Sequence, residues 1–298
     1  MDDTAIARVR RFQRTVTQRI GALNDAFMGR DRPLGQARLL WEIGAEGTEV
    51  QVRALRARLG LDSGYLSRLL RALEADGLAV VDAGGADGRV RTVRLTQAGI
   101  AEREELDRRS DEAAASMLRP LSETGRERLV AAMSEVERLL VASMVEVGVF
   151  DPGHPAARHC LGAYVAELAR RFEGGFDPGR SIPAGDDELR LPAGMLLIAT
   201  LHAEPVGCVA LKLHPDSGHA EIKRMWAESS VRGLGLGRLL LAEAEAHAAG
   251  HGLRTLRLET NRALTEAIAL YRACGYAEVP AFNDEPYAHH WFEKRLPE

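Results

Sequence analysis

The stretch VRGLGLGRLL, residues 231–240, places glycines at 233, 235 and 237 directly ahead of an apolar segment. A dinucleotide-binding GxGxxG needs a third glycine where Arg238 stands, and a P-loop needs Gly-Lys followed by Ser or Thr, which is absent. What remains is the run Arg232, Gly233, Leu234, Gly235, Leu236, Gly237, Arg238 between a strand-like and a helix-like segment. Glycine lets main-chain N–H groups come close to an anion, and a following helix turns the positive end of its dipole toward it. Each charge-assisted hydrogen bond of this kind contributes about 1.5–3 kcal/mol, so a pyrophosphate is a fitting occupant.

These residues resemble the signature of the GNAT superfamily of N-acetyltransferases, (Gln/Arg)-x-x-Gly-x-(Gly/Ala), met by Arg232, Gly235 and Gly237. The segment LETNRALTEAIALYRACGYAEV adds that superfamily's Leu-Tyr-x-x-x-Gly-Tyr pattern at Leu270 to Tyr276. The resemblance covers residues 157–296. It implies that the loop binds the pyrophosphate of acetyl-CoA, with main-chain groups of Met225, Trp226 and Ala227 along the pantetheine arm. It also implies direct transfer to an amine, in which a neutral amine attacks the thioester and the departing thiolate takes a proton. On that basis Tyr271 is the candidate acid, Glu221 the candidate base and Asn261 a contact beside the cofactor.

Each of these roles has a plainer alternative. Tyr271 suits a packing position on an amphipathic helix, Glu221 suits a surface pair with Lys223 or Arg224, and Asn261 suits a cap for a helix starting near Ala263. Cys274, at a helix end with no base nearby in sequence, reads as a core residue. His289 and His290 are adjacent on an expected last strand, so they point to opposite faces and at most one reaches a ligand.

A second constellation lies in the first half. In VRALRARLGLDSGYLSRLLRALEADGLAVVDAGGADGRVRTVRLT a short helix ends at Gly60, and Asp62 or Ser63 caps the next. Leu66, Leu69, Leu70 and Leu73 share one face of that second helix, leaving Ser63, Ser67, Arg68 and Arg71 on the other. Two helices joined so tightly form a helix-turn-helix whose second helix can enter a major groove. The two expected strands that follow enclose a glycine-rich loop able to carry Arg89 into a narrow minor groove.

This region resembles the MarR family of winged-helix transcription regulators, on Asp87, Arg89 and Leu95-Thr96 of the wing. The resemblance covers residues 4–147 and implies that Asp87 steadies the wing, that Arg89 reaches double-stranded DNA, and that flanking helices form a homodimer. The wing GGADGRVR departs from the charged form common in the family.

The elements that must position these residues divide the 298-residue chain in two. Residues 4–147 read as helical with a β interruption at 79–95, and Leu129, Met133, Val136, Leu140, Met144 and Val147 continue a helical stripe after a Ser122 cap. FDPGHPAAR then reads as a linker, after which MLLIATL, PVGCVALKL, HAEIKRMWA and LRTLRLET read as strands, with helices near 235–250 and 263–274. The expected architecture is a mainly α winged helix-turn-helix domain at 1–148, a linker at 149–156, and an α/β mixed-sheet GNAT domain at 157–298.

Charge follows the same division. Residues 1–149 contain no lysine and balance 23 arginines against 23 acids, yet residues 53–94 carry eight arginines against five acids, a local basic stripe suited to nucleic acid. The three cysteines form no CxxC pair and the nine histidines no HExxH, so no structural metal is expected. No apolar run is long enough for a membrane span and no secretory leader is evident, which points to a cytoplasmic protein without membrane contact. The combined expectation is a regulator that also acetylates an amine, a small molecule in preference to a protein lysine. Two rivals remain: a regulator that only senses acyl-CoA, and an enzyme whose winged helix only dimerises.

Overall fold

The computed structural model describes residues 3–22, 26–45, 49–84 and 90–297. The chain forms two compact units, Met1–Ala132 and Met133–Glu298.

The first unit contains α1 (Asp3–Ile20), α2 (Leu34–Ala45), β1 (Val50–Gln51), α3 (Val52–Leu59), α4 (Ser63–Ala75), β2 (Ala79–Gly84), β3 (Val90–Leu95) and α5 (Gln97–Leu118). The division from the second unit falls inside α6 (Glu123–Ala142). Gly60 ends α3 in the left-handed conformation, φ 62°, which glycine adopts without a Cβ penalty. Asp62 then caps α4 by accepting the Tyr65 N–H at 2.8 Å. The helix-turn-helix is therefore written in two adjacent local signals. Leu66, Leu69, Leu70 and Leu73 are buried as expected, against Leu40, Ile43, Leu55, Val93 and Leu106. β2 and β3 pair antiparallel, and β1 joins through Val50 opposite Val93. Asp87 and Arg89 lie outside the described residues.

In the second unit β4 (Glu146–Phe150), β5 (Gly194–Leu201), β6 (Glu204–His214), β7 (His219–Ala227), β8 (Thr255–Thr260), β9 (Ala277–Val279) and β10 (His290–Arg295) form a sheet in the order β4-β5-β6-β7-β8-β10-β9. β7 and β8 are parallel; the other neighbours are antiparallel. α8 (Leu236–Gly250) makes the crossover between the parallel pair, while α7 (Pro155–Arg171) and α9 (Thr265–Ala273) complete the unit. Both sheet faces are covered, so β5 reads as a continuous apolar run: Met195, Leu197 and Ala199 pack with α8, and Leu196 and Ile198 pack with α7. Among the described residues no helix is long and apolar enough to cross a membrane.

The expected boundary needs a correction. Residues 149–150, read as linker, and Val147, read as the end of a helical stripe, belong to β4, with Val147 opposite Ala199 and Phe150 opposite Leu196. Val145, Val147 and Val149 alternate at period two, a pattern that the step of three from Met144 to Val147 imitates. Of the stripe before it, Met133, Leu140 and Met144 are exposed, and Ser122 does accept the Gly125 N–H at 3.2 Å. Pro155 and His154 begin a helix instead of a loop, with His154 Nδ1 accepting the Ala156 N–H at 3.2 Å.

Candidate functional site

β7 and β8 pair only from His219 opposite Thr255 to Glu221 opposite Arg257. Beyond Glu221 the two strands part, and the opening is occupied by two cavities. One, of ≈ 480 Å³, is lined by Met225, Trp226 and Ala227 of β7, by Arg232, Gly233, Gly235, Leu236, Gly237 and Arg238 of the glycine loop, and by residues of α7 and α9. The other, of ≈ 100 Å³, is lined by Lys223, Glu259, Asn261, Glu285, Tyr287 and a group of aromatic side chains. Tyr164, Leu168, Met225, Leu264 and Tyr271 belong to both linings.

The glycine loop faces the larger cavity as its sequence requires. Gly233 and Gly235 have φ of 83° and 85°, and a Cβ on either would meet no atom within 4 Å. Their main chain therefore borders open space. Gly235 is the N-cap of α8 and no side chain satisfies that helix end, leaving its first amides available to an anion. Gly237 serves a different purpose, since a Cβ there would lie 2.7 Å from Leu270 Cδ2, so it lets α8 approach α9. Leu234 is absent from the cavity wall and packs against the main core. Arg238 is exposed along the lining.

Arg232 is engaged by protein. Its Nε donates to the Ala227 carbonyl at 3.1 Å and its Nη2 pairs with Glu167 of α7. The same carboxylate accepts the Trp226 indole N–H at 3.0 Å and pairs with Arg171 at 3.4 Å, while Arg171 also reaches the Ala263 carbonyl at 2.8 Å. Glu167 thus ties β7, the loop and α7 into one wall. Sequence reading missed Glu167, Arg171 and Tyr164 because α7 was hidden behind its flanking prolines; the i, i+4 spacing of Glu167 and Arg171 was the available signal.

Tyr271 is buried, 6% exposed, and its hydroxyl lies 3.9 Å from Met225 Sδ. Burial, reinforced by the negative charge of Glu259, raises its pKa above the ordinary tyrosine range, so it keeps its proton near neutral pH. Asn261 lines the smaller cavity and not the larger, donating to the Tyr287 carbonyl at 2.7 Å and accepting the Ala263 N–H at 2.9 Å. The bond to Ala263 closes a local turn and does not cap α9, which begins at Thr265 with Leu264 as an N-cap that makes no side-chain hydrogen bond. Glu221 lines neither cavity; its carboxylate lies 3.6 Å from Lys223 Nζ and near His214 and His219. The carboxylates that do face the smaller cavity are Glu259, paired with Lys223, and Glu285, which accepts from Ser181 Oγ at 2.9 Å and the Ile182 N–H at 2.8 Å. Cys274 packs against the core, and His290 pairs with Glu278 at 2.7 Å.

In the first unit Ser63, Arg68 and Arg71 are exposed on α4 and Ser67 is half-buried, opposite the leucine face. Tyr65, not singled out from sequence, is exposed beside them with the Arg68 guanidinium 5.6 Å from its ring centre.

Residues 163–276 match the acetyltransferase (GNAT) family and residues 30–90 the MarR family. An IAA acetyltransferase of Azospirillum brasilense is 37% identical over 99 residues, 33% of this chain and 63% of that protein. A mycothiol acetyltransferase of Cellulomonas flavigena is 36% identical over 97 residues, 30% of this chain and 28% of that protein. The chain therefore spans less than two thirds of either relative. A GNAT family acetyltransferase from Elizabethkingia anophelis, solved with acetyl-CoA bound, superposes over 51% of this chain and 99% of its own with a TM-score of 0.37 and 17% identity. The chain joins a MarR-family region, residues 30–90, to a GNAT-family acetyltransferase region, residues 163–276.

Proposed function

We propose that the second unit transfers an acetyl group from acetyl-CoA to a small amine, and that the first binds double-stranded DNA as part of a homodimer. The observation that carries the transferase reading is the meeting of two cavities at Tyr271, with the larger opening onto the uncapped N-terminus of α8.

The residues fit the coenzyme. The main chain at Gly233 and Gly235 borders open space, the uncapped first turn of α8 supplies N–H donors for a pyrophosphate, and β7 beyond Glu221 lacks a strand partner on its β8 side among the described residues. Acetyl-CoA, when bound, supplies the activated acyl group. Tyr271 holds a proton at its hydroxyl where the two cavities join, and burial keeps it there for delivery to the departing sulfur. In the smaller cavity Tyr164, Phe172, Phe176 and Tyr287 provide an aromatic wall for an amine, and Glu259 and the Tyr287 region orient it. With Glu221 outside both linings, Glu259 is better placed to accept the amine proton, directly or through a water. The size of that cavity favours a small molecule over a protein lysine. The relatives named as a mycothiol acetyltransferase and an IAA acetyltransferase both carry small-molecule names, which supports a small-molecule acceptor as a class.

Titration calorimetry of the full chain with acetyl-CoA tests the reading. Micromolar binding that disappears in Gly235→Glu supports it; no binding by the wild-type protein overturns it. Binding without turnover on a broad amine panel would favour an acyl-CoA sensor.

The DNA reading rests on the exposed Ser63, Arg68 and Arg71 on a helix packed through its leucine face. The dimer reading rests on α1, where Ile6, Val9, Phe12, Val16 and Ile20 are all exposed.

A further inference from the structure

The hairpin formed by β6 and β7 turns at its far end through HPDSGH, and the strands pair His214 directly opposite His219. Directly opposed residues project from the same face, and Glu221, two positions along β7, joins them there. The two imidazoles stack with ring centres 4.8 Å apart and planes 20° from parallel. Glu221 lies beneath both, with one carboxylate oxygen 3.7 Å from His214 Nε2 and the other 3.8 Å from His219 Nε2. We propose that His214, His219 and Glu221 form a binding site for a divalent transition-metal ion of the Zn²⁺ class.

Three observations carry this. One ligand atom from each residue lies within 4.8 Å of the others. Ligands of a tetrahedral zinc at about 2.0–2.1 Å stand about 3.3 Å apart, so the two His–Glu distances of 3.7 and 3.8 Å must close by about half an ångström and the remaining separation, within 4.8 Å, by up to about 1.5 Å, movements within reach of side-chain rotation. Second, His214 Nε2 is buried and makes no hydrogen bond among the described residues, an unsatisfied atom with the Glu221 carboxylate 3.7 Å away. Third, the Ser217 hydroxyl lies 3.0 Å from His219 Nδ1, which fixes that ring and leaves Nε2 toward the cluster.

Two imidazoles and one carboxylate select a borderline ion over Mg²⁺ or Ca²⁺, which prefer all-oxygen shells. Lys223, 3.6 Å from Glu221, opposes a cation, but its closer partner is Glu259 on β8, which draws the ammonium away. The cluster supplies three ligands, so the fourth position of a tetrahedral ion would fall to a small ligand such as water. The ion would clamp the start of the strand whose later residues line both cavities, without entering either. The inference does not depend on the transferase reading.

Chelator-treated full-length protein titrated with ZnCl₂ in a calorimeter is expected to bind one equivalent per chain at micromolar affinity or tighter. His219→Gln should weaken that binding at least roughly ten-fold, and His214→Asn with His219→Gln should abolish it. Hydrogen exchange on the wild-type protein, which does not rely on the variants folding, should show Zn²⁺-dependent protection at residues 213–222. Absence of binding, binding unchanged in the double variant, or protection located elsewhere, such as at His289 and His290, overturns the proposal.

Discussion

The Tyr271 hydroxyl lies 3.9 Å from the Met225 sulfur, at the wall where the larger and smaller cavities coincide. A residue in that position touches whatever passes from one cavity to the other. Tyr271→Phe keeps the ring and removes only the proton. The expected result is a fall in kcat of about a hundredfold to ten-thousandfold with acetyl-CoA affinity changed less than a few-fold, read by steady-state kinetics and calorimetry. A variant that retains full turnover would make Tyr271 a packing residue only.

Gly235 separates backbone strain from ligand blockage. At φ 85° an alanine is strained by about 1–2 kcal/mol but meets no neighbouring atom, so Gly235→Ala should lower thermal stability slightly and keep some coenzyme affinity. Gly235→Glu places a carboxylate where the anion is expected and should eliminate binding. Equal affinities in the two variants would count against an amide cradle.

Glu102 is 8% exposed on α5 and is held by Arg30 and by Arg32 at 3.0 Å. Its hydrogen bond to Arg30 lowers the carboxyl pKa below its usual 4.5. The folded state therefore binds fewer protons than the unfolded chain, so this contribution is full above about pH 4.5 and is lost as pH falls through the lower folded value. Glu102→Gln should destabilise α5 by about 1–2 kcal/mol at pH 7, and the difference from wild type should shrink on acidification. Amide exchange of α5 at several pH values reads both effects; a difference that grows toward low pH would contradict this account.

Arg68 and Arg71 project from α4 away from its buried leucines. If both neutralise phosphates, Arg68→Ala and Arg71→Ala should each weaken DNA binding and reduce the slope of log K against log salt by about 0.9. Fluorescence anisotropy at several salt concentrations measures both quantities. Unchanged binding in the double variant would leave the winged helix as a dimerisation module.

Phe12 is 47% exposed on an α1 face that also exposes Val9 and Val16. Phe12→Glu should shift the protein from dimer to monomer in sedimentation at micromolar concentration. A monomeric wild type would remove the basis for that face as an interface.

Local rules were readable from the chain and distant ones were not. Gly60, Asp62 and the four leucines of α4 announce a helix-turn-helix because capping and periodicity act over a few residues. The glycine loop was readable because a positive φ at 233 and 235 demands that residue type. Glu167 was not, because its role depends on Trp226 and Arg232, about sixty residues away, meeting one carboxylate. The side on which Glu221 falls was also hidden. The register of β7 against β6 shifts between Cys208 and Ala210, and Arg224 takes a φ of 50°, so simple alternation does not predict which residues reach the cavities. The smaller cavity owes its lining to segments around 164, 182, 223, 260 and 287, a convergence that no local pattern encodes.

The parting of β7 from β8 after Glu221 leaves a seam in an otherwise continuous sheet. Strands on either side of a seam can breathe against each other in a way that laddered strands cannot. A ligand lying there would do the mechanical work of a missing strand, so loading the protein and stiffening its sheet become a single event, visible as a melting temperature that climbs with ligand concentration.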